Sequence, residues 1–304
     1  IPAMKEEKYP AHFAAAIASM ASILGPIIPP SITLIVYGSI TGVSVSKLFL
    51  GSVIPGVLLA LVLAGYALFY GKKYDLPAHK RKSPKEIACT VKDGIWALLM
   101  PVIILGGIFG GIFSPTESAA VAVIYALLIS FFVYKDMSFK DLGSVLIDSS
   151  ISTATILMMV GLSKSSSYVV TVSGLPEMIL SGFASFTDSP IVILLLINVL
   201  FLIIGMLMEA NAAIVMMTPL LLPLIKAFGI DIIQFGIVMS FNMCIGLITP
   251  PVGICMLMGN QLAGSKLSAA LKAVAPMLLM SLIILMLITY IPALTTWLPG
   301  FLAE

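Results

Sequence analysis

Charged residues are scarce in this chain. Only 10% of its 304 residues are Asp, Glu, Lys or Arg, whereas 60% are hydrophobic and the mean hydropathy is +1.15. Soluble globular domains carry about 25% charged residues. The composition therefore excludes an ordinary soluble domain and predicts a polytopic membrane protein that contacts the lipid bilayer.

Residues that ligate metals or attack substrates are equally few. The chain has two histidines and three cysteines, Cys89, Cys244 and Cys255. Their spacing matches neither a disulfide framework nor a metal motif, so we expect the cysteines to be reduced. Serine and threonine are plentiful, but in apolar helices they mostly serve packing. The sequence therefore predicts no catalytic residues and no cofactor, and we expect the protein not to be an enzyme.

The most informative pattern in the sequence is an internal repeat. The segment GPIIPP at 25–30 reappears as GLITPP at 246–251, displaced by 221 residues. Each copy lies inside an uncharged run of 34 residues, 13–46 and 232–265, whereas about 20 residues suffice for one membrane-spanning helix. A Gly-Pro-Pro segment can merely kink a span. Two copies at corresponding positions instead indicate two broken helices, which point to the binding site of a secondary transporter.

The same displacement pairs further residues, which argues against a chance match in an apolar sequence. Residue 1 corresponds to Leu222, so the segment 190–221 has no counterpart in this chain. We therefore expect the 304 residues to be the C-terminal part of a longer polypeptide, with a first hairpin upstream of Ile1. The additional pairs are Ser19 and Ser240, Gly38 and Gly259, Ser44 and Ser265, Pro55 and Pro276, and Lys5 and Lys226.

The distribution of positive charge predicts the topology. Seven of the 16 basic residues lie at 72–92, and a basic loop between apolar spans is cytoplasmic rather than a nucleic-acid-binding tail. The resulting assignment places 13 of 16 basic residues in the cytoplasm and makes the two broken segments run in opposite directions, as in an inverted repeat. The remaining predicted spans are 53–70, 95–113, 119–134, 142–172, which Lys164 and its serines make the least regular, and 273–291.

Residues 190–225 are predicted to form a re-entrant hairpin with its tip at Glu209-Ala210-Asn211. The return arm, 212–225, has about 14 residues and spans about 21 Å, less than a hydrocarbon core of about 30 Å. Two ordinary spans remain the alternative. The predicted regions are the second part of repeat 1 at 1–71, the cytoplasmic loop at 72–92, scaffold helices at 93–189 and repeat 2 at 190–304.

Carbonyl groups at a helix break are suitable cation ligands, because they lack helical N–H donors and lie at the negative end of the helix dipole. Leu247 and Ile248 offer such carbonyls, and Thr249 adds a hydroxyl that its counterpart Ile28 lacks. The helices that restart at Ser31 and 252–253 present free N–H groups to an anion. The predicted sodium-binding residues are Gly25, Pro26, Ile27, Gly246, Thr249, Val252 and Met208.

Two acids in apolar segments are candidates for coupling, since ionisable groups within membrane spans are rare. Glu209 lies at the predicted hairpin tip, with Asn211 two residues on. Glu117 lies three residues after Ser114, so a helix-capping box explains it equally well.

The segments 25–32, 110–128 and 246–253 resemble the large membrane subunit of TRAP (tripartite ATP-independent periplasmic) transporters, and the resemblance covers essentially the whole chain. It implies an elevator-type, sodium-driven carrier with two re-entrant hairpins in the bacterial inner membrane. It also implies a small membrane subunit, the Q subunit, which is sometimes fused upstream, and a periplasmic substrate-binding protein. Typical substrates are carboxylates, and the overall likeness is greatest to fused sialic-acid transporters of the family.

By this resemblance, sodium ions bind at Gly25, Ile27, Gly246 and Thr249. The acid at the hairpin tip is Glu209, where the family more often has Asp, and the longer side chain suits hydrogen bonding better than direct ligation. Ser31 and Ser44 are predicted to face the substrate.

The sequence thus predicts sodium-coupled uptake of an organic anion, with sialic acid as the first candidate substrate. The alternatives are a C4-dicarboxylate TRAP transporter, a sodium/anion carrier that needs no binding protein, and a membrane scaffold subunit that transports nothing.

Overall fold

A computed structural model describes residues 1–74, 76, 83–174, 178, 182, 189–251 and 253–302. Every regular element in these residues is helical. The helices are α1 Pro2–Glu6, α2 Ala11–Ser22, α3 Leu24–Ile27, α4 Ile32–Thr41, α5 Val45–Lys73, α6 Pro84–Phe109, α7 Pro115–Leu128 with a π-helical continuation Ile129–Tyr134, α8 Phe139–Val172, α9 Pro190–Leu207, α10 Ala210–Ala227, α11 Ile232–Gly246, α12 Ile254–Ala263, α13 Leu267–Tyr290 and α14 Ala293–Leu302.

Seven segments in this described part are long and apolar enough to cross a membrane. This confirms the prediction of an all-α polytopic membrane protein. The segments are Ala11–Thr41, Val45–Lys73, Pro115–Tyr134, Phe139–Leu162, Pro190–Leu207, Ala210–Ala227 and Leu267–Tyr290.

The helix boundaries repeat at the displacement found in the sequence. Helix α2 begins at Ala11 and α11 begins at Ile232, 221 residues later. Helices α4 and α12 both have 10 residues, and α5 and α13 follow them after short turns. Both predicted helix breaks are therefore present, and they occur at equivalent positions of the two repeats.

The chain divides into two compact units, of which the first comprises Ile1–Pro77 and Leu162–Glu304. Its core lies where α2 and α11 pack with α5, α12 and α13. The outward faces of the same helices are also apolar, for example at Leu61 and Leu279, as expected for surfaces that contact lipid tails. Fully buried members of the core include Ala16, Met20, Ile23, Leu59, Cys244, Ile245, Met277 and Leu285.

The second unit, Ala78–Gly161, contains α6, α7 and the first part of α8. Helices α6 and α7 pack together. The hydroxyl of Ser118 donates to the Ile104 carbonyl at 3.0 Å, and that of Tyr125 donates to the Trp96 carbonyl at 2.7 Å. These bonds satisfy polar groups within an apolar helix pair.

Several predicted boundaries were wrong. Lys73 still belongs to α5 and α6 begins at Pro84, so most of the 72–92 loop for which a structure is described is helical. The segment 142–172, predicted to be the least regular of the spans, belongs to the continuous helix α8, because serine is tolerated within a helix. Helix α14 was not predicted; it packs on α5, where a Cβ at Gly51 would lie 2.4 Å from the Thr295 carbonyl oxygen.

The return arm of the predicted hairpin, α10, is longer than predicted. Helix α10 has 18 residues rather than about 14, because Glu209 caps it two residues earlier than expected and the helix continues two residues further, to Ala227. Its length is about 27 Å at 1.5 Å per residue, close to the thickness of the hydrocarbon core. Arm length therefore no longer favours a re-entrant hairpin over two ordinary spans, and re-entrance stays a prediction.

Candidate functional site: the two helix breaks

The first break separates α3 from α4. Pro29 and Pro30 carry no backbone N–H, so the carbonyls of Gly25 and Pro26, four residues earlier, have no helical donor there. The backbone turns out of the helix at Ile28, which is extended with φ −79° and ψ 132°. The sequence thus creates free carbonyl groups in the middle of an apolar segment.

A group of buried hydroxyls surrounds one of these carbonyls. Ser31 caps α4 by accepting a hydrogen bond from Leu34 N at 3.4 Å, and its own hydroxyl donates to the Pro26 carbonyl. Thr33 Oγ1 lies 3.3 Å from the same carbonyl and 2.6 Å from Ser240 Oγ of α11. The first break is therefore tied to the other repeat through side-chain oxygens.

The second break separates α11 from α12. The prolines at 250–251 again remove the donors for Gly246 and Leu247. Here the backbone supplies replacements, since Thr249 N donates to the Gly246 carbonyl and Cys255 N donates to the Leu247 carbonyl, both at 3.0 Å. These carbonyls are less free than the sequence suggested, although each oxygen retains a second lone pair.

Thr249 has the hydroxyl that distinguishes the second break. Its Oγ1 donates to the Ile245 carbonyl at 2.8 Å, which leaves the oxygen lone pairs available to a cation. Helix α12 restarts after Gly253, whose φ of +45° is in the left-handed region that glycine adopts without strain. Val252, a predicted ligand, lies outside the described residues.

The two broken helices are joined by related hydrogen bonds. Ser19 Oγ of α2 donates to its own helix at Ala15 and lies 3.1 Å from the Cys255 carbonyl at the start of α12. Ser240, its counterpart in α11, bonds Thr33 at the start of α4. In each repeat the first half-helix thus contacts the restart of the other.

Helix α9, the first arm of the hairpin, covers the second break closely. A Cβ built on Gly246 would lie 2.3 Å from the carbonyl carbon of Gly205 in α9. A Cβ on Gly205 would in turn lie 3.3 Å from the Gly246 Cα. The backbones of α9 and α11 touch here, and only glycine at 246 permits this approach.

The hairpin tip follows Gly205 within one helical turn. Met208 and Glu209 are extended, and Glu209 caps α10 by accepting from Ala212 N at 2.9 Å. Asn211 Nδ2 donates to Glu209 Oε1 at 2.8 Å, and the role of Glu209 in coupling stays a prediction. Asn211 Oδ1 is buried without a hydrogen-bond partner in the described part of the chain, and an amide oxygen of this kind is a suitable ligand for a hard cation.

Comparison with known proteins agrees with this architecture. Residues 1–294 match the family "Tripartite ATP-independent periplasmic transporter, DctM component". The chain is 39% identical to the C4-dicarboxylate TRAP transporter large permease protein DctM of Pseudomonas aeruginosa, over 99% of this chain and 71% of that protein. The chain belongs to the DctM family.

Two other relatives show how this DctM-family chain relates to longer proteins. It is 38% identical to the isethionate TRAP transporter permease protein DctMQ of Oleidesulfovibrio alaskensis, and 34% identical to the sialic acid TRAP transporter permease protein SiaT of Haemophilus influenzae. The alignments cover 99% of this chain but only 47% and 49% of those proteins. The relatives are permeases rather than enzymes, and membership in their family places the chain in the bacterial inner membrane.

The remaining predicted site residues lie in different settings. Ser31 is buried within the first break, whereas Ser44 is an exposed N-cap of α5. Glu117 belongs to the second unit, where it completes the expected capping box with Ser114. The structure explains Glu117 by this cap, and contact of either serine with substrate stays a prediction.

Sequence reasoning missed four residues that the structure brings to the breaks or their supports. Thr33 and Gly205 contact the breaks directly, and Asn198 and Asn242 form a buried amide pair between α9 and α11. Asn198 is the single amide in the otherwise apolar helix α9. A polar residue in such a run marks a candidate functional position, so this signal was present in the sequence.

Proposed function

We propose that the protein is the large permease subunit of a sodium-coupled transporter that takes up an organic anion delivered by a periplasmic binding protein. The observation that carries the proposal is the pair of helix breaks at equivalent positions, each rich in backbone and hydroxyl oxygens. Coupling ions in secondary transporters bind at unwound carbonyls of this kind.

The second break, together with the hairpin tip, offers the larger set of candidate cation ligands. Thr249 Oγ1, the second lone pairs of the Gly246 and Leu247 carbonyls, and the unpaired Asn211 Oδ1 are oxygen donors of the type that hard cations prefer. At the first break the carbonyls of Gly25 and Ile27 play the corresponding part. We propose one sodium ion at each break.

The anion would bind at the restarted half-helices. Helices α4 and α12 begin at the breaks, and their N-terminal N–H groups and positive dipole ends favour negative charge. Isethionate carries a sulfonate, whereas sialic acid and C4-dicarboxylates carry carboxylates. The compounds that appear in the relatives' names therefore all carry an anionic group. Sialic acid remains the first candidate substrate and C4-dicarboxylates are the alternative.

Sodium can supply the energy for concentrative uptake. One cation that moves inward across 100 mV gains about 2.3 kcal/mol. Two sodium ions per monoanion therefore make uptake electrogenic. The elevator-type movement, the small Q subunit and the periplasmic binding protein are parts of this proposal.

The proposal is tested by uptake into proteoliposomes that contain the complete transporter with its small subunit and binding protein. We expect uptake of labelled anion only with an inward sodium gradient and only with the binding protein. Uptake that persists without sodium would refute the coupling. Sodium-driven uptake without the binding protein would instead identify an independent carrier, and failure with every anion would favour a scaffold subunit.

A further inference from the structure

A chain of buried polar side chains connects three helices of the first unit. Asn242 Nδ2 of α11 donates to the Asn198 carbonyl and to Asn198 Oδ1 of α9, both at 3.0 Å. Asn198 Nδ2 donates to Thr289 Oγ1 of α13 at 3.0 Å. The three side chains are 1% exposed or less, so they form a polar connection within the apolar core.

Holding apolar helices together through buried amides is unfavourable in free energy compared with apolar packing. Burying an amide is unfavourable unless its polar atoms are hydrogen-bonded, and Asn242 Oδ1 has no partner among the described residues. Leucine has nearly the same shape as asparagine and would pack without this penalty. The amides therefore contribute something that apolar packing does not, and one candidate is a fixed register between helices.

The position of the amide pair relative to the second break shows which register it fixes. Asn242 precedes Gly246 by one helical turn, and Asn198 precedes Gly205 by two. Gly205 and Gly246 form the close backbone contact between the same two helices. Two successive contacts restrict sliding and rotation of α9 on α11, whereas a single contact would act as a pivot.

The end of α9 leads directly into the hairpin tip. Helix α9 ends at Leu207, and the extended residues Met208 and Glu209 follow. A shift of α9 along α11 therefore moves the tip relative to the break by the same distance. A cation site shared between them is sensitive to such a shift, because misplacing a ligand by about 1 Å can change function by orders of magnitude.

We infer that Asn198 and Asn242 are positioning residues for the proposed cation site, which set the register of the hairpin against the second break and thereby the affinity for sodium. This inference rests on the proposed function. It concerns affinity, so it predicts effects on the sodium dependence of transport that exceed those of any other buried amide of α11.

The test compares Asn242→Leu with Gln234→Met in the complete transporter. Gln234 is a matched control because its buried amide also lies on α11 but donates to the Ile288 and Thr289 carbonyls of α13 rather than to α9. We expect Asn242→Leu to raise the half-saturating sodium concentration for uptake at least tenfold. Gln234→Met should leave it within twofold, at a similar loss of thermal stability.

Asn198→Leu is a milder variant that keeps the hydrogen bond from Asn242 to the carbonyl of residue 198. It should raise the half-saturating sodium concentration about threefold, and the double variant should resemble Asn242→Leu alone, because both residues act through one pair. If Asn242→Leu does not fold, Asn198→Leu against Gln234→Met decides the question.

Equal sodium dependence in the asparagine variants and Gln234→Met would overturn the inference, as would loss of stability without a change in sodium dependence. Either result leaves the proposed function intact as long as the unmodified transporter requires sodium. If uptake by the unmodified transporter does not depend on sodium, the proposed function itself is refuted. The two failures are therefore distinguishable.

Discussion

The two helix breaks have the same backbone plan but different surroundings. Gly25 of the first break is exposed, and a Cβ placed there meets no atom within 4 Å among the described residues. Gly246, its counterpart, is buried against the backbone of Gly205. The repeated sequence therefore determines where each helix breaks, whereas the neighbouring segments determine what each break can bind.

The two repeats also differ in the contacts made near the start of their first half-helices, α2 and α11. Phe13, near the start of α2, stacks on Tyr70 of α5 with ring centroids 3.9 Å apart. Gln234, its counterpart in α11, instead donates to two carbonyls at the end of α13, at 3.2 and 2.8 Å. Hydrogen bonds from an amide satisfy the last carbonyls of a helix, which an aromatic pair cannot do. Equivalent positions thus stabilise the same crossing by different interactions.

The largest expected effect comes from filling the close contact at the second break. In Gly246→Ala the new methyl group overlaps the Gly205 backbone, so we expect a loss of about 3 kcal/mol in stability and of most transport. Gly205→Ala, whose Cβ would lie 3.3 Å from its nearest neighbour, should cost less. Thermal unfolding of the purified transporter and uptake measure both effects.

Gly25→Ala is the matched control for this pair. Its methyl group enters open space among the described residues, so stability should change by less than about 1 kcal/mol. Damage equal to that of Gly246→Ala would contradict the difference between the breaks.

An intermediate effect is expected from the hydroxyl that only the second break carries. Thr249→Val removes a proposed sodium ligand at nearly constant volume. A hydrogen bond or ligand to a charged group contributes about 1.5–3 kcal/mol, so the half-saturating sodium concentration should rise about tenfold or more. Sodium titrations of uptake measure it.

Two controls separate loss of the hydroxyl from altered packing. Thr249→Ser keeps the oxygen and should retain a sodium affinity near that of the unmodified protein. Ile28→Val changes the equivalent position of the first break without removing an oxygen and should have no effect on sodium titrations. An unchanged titration for Thr249→Val would remove Thr249 from the site.

The smallest effect is expected at the hydroxyl bonds between the repeats. Ser240→Ala removes the 2.6 Å bond to Thr33, and Ser19→Ala removes the 3.1 Å bond to the Cys255 carbonyl. Interhelical bonds within membranes contribute about 0.6 kcal/mol on average. Each variant should therefore lower the unfolding temperature by only a few degrees. The decrease should be larger for Ser240→Ala, because its hydrogen bond is shorter. The reverse order would show that Ser19 makes the stronger interhelical bond.

The sequence predicted well what backbone chemistry determines. Proline pairs remove N–H donors wherever they occur, so both helix breaks were located correctly, and Ser114 with Glu117 predicted a capping box that the structure contains. Boundaries set by caps and packing were less predictable. The early cap at Glu209 lengthened the start of α10, and α14 forms by packing against α5.

The site could be predicted only in part, because a carbonyl is free only if no distant group reaches it. Sequence alone could not show that Cys255 N donates a hydrogen bond to the Leu247 carbonyl, or that the hydroxyls of Ser31 and Thr33 lie beside the Pro26 carbonyl. These partners depend on how the chain folds back after the prolines. Only the three-dimensional arrangement distinguishes an occupied oxygen from an available one.

By itself the sequence determined that the chain is a membrane protein, where its helices break and that the breaks form a repeat. These properties follow from composition and from the missing donors of proline, which act locally. The tertiary structure decided that the Gly205 backbone covers Gly246 and that Asn198 pairs with Asn242, because both contacts join residues more than 40 positions apart in the chain. Contacts over such distances depend on the packing of whole helices, which no local pattern specifies.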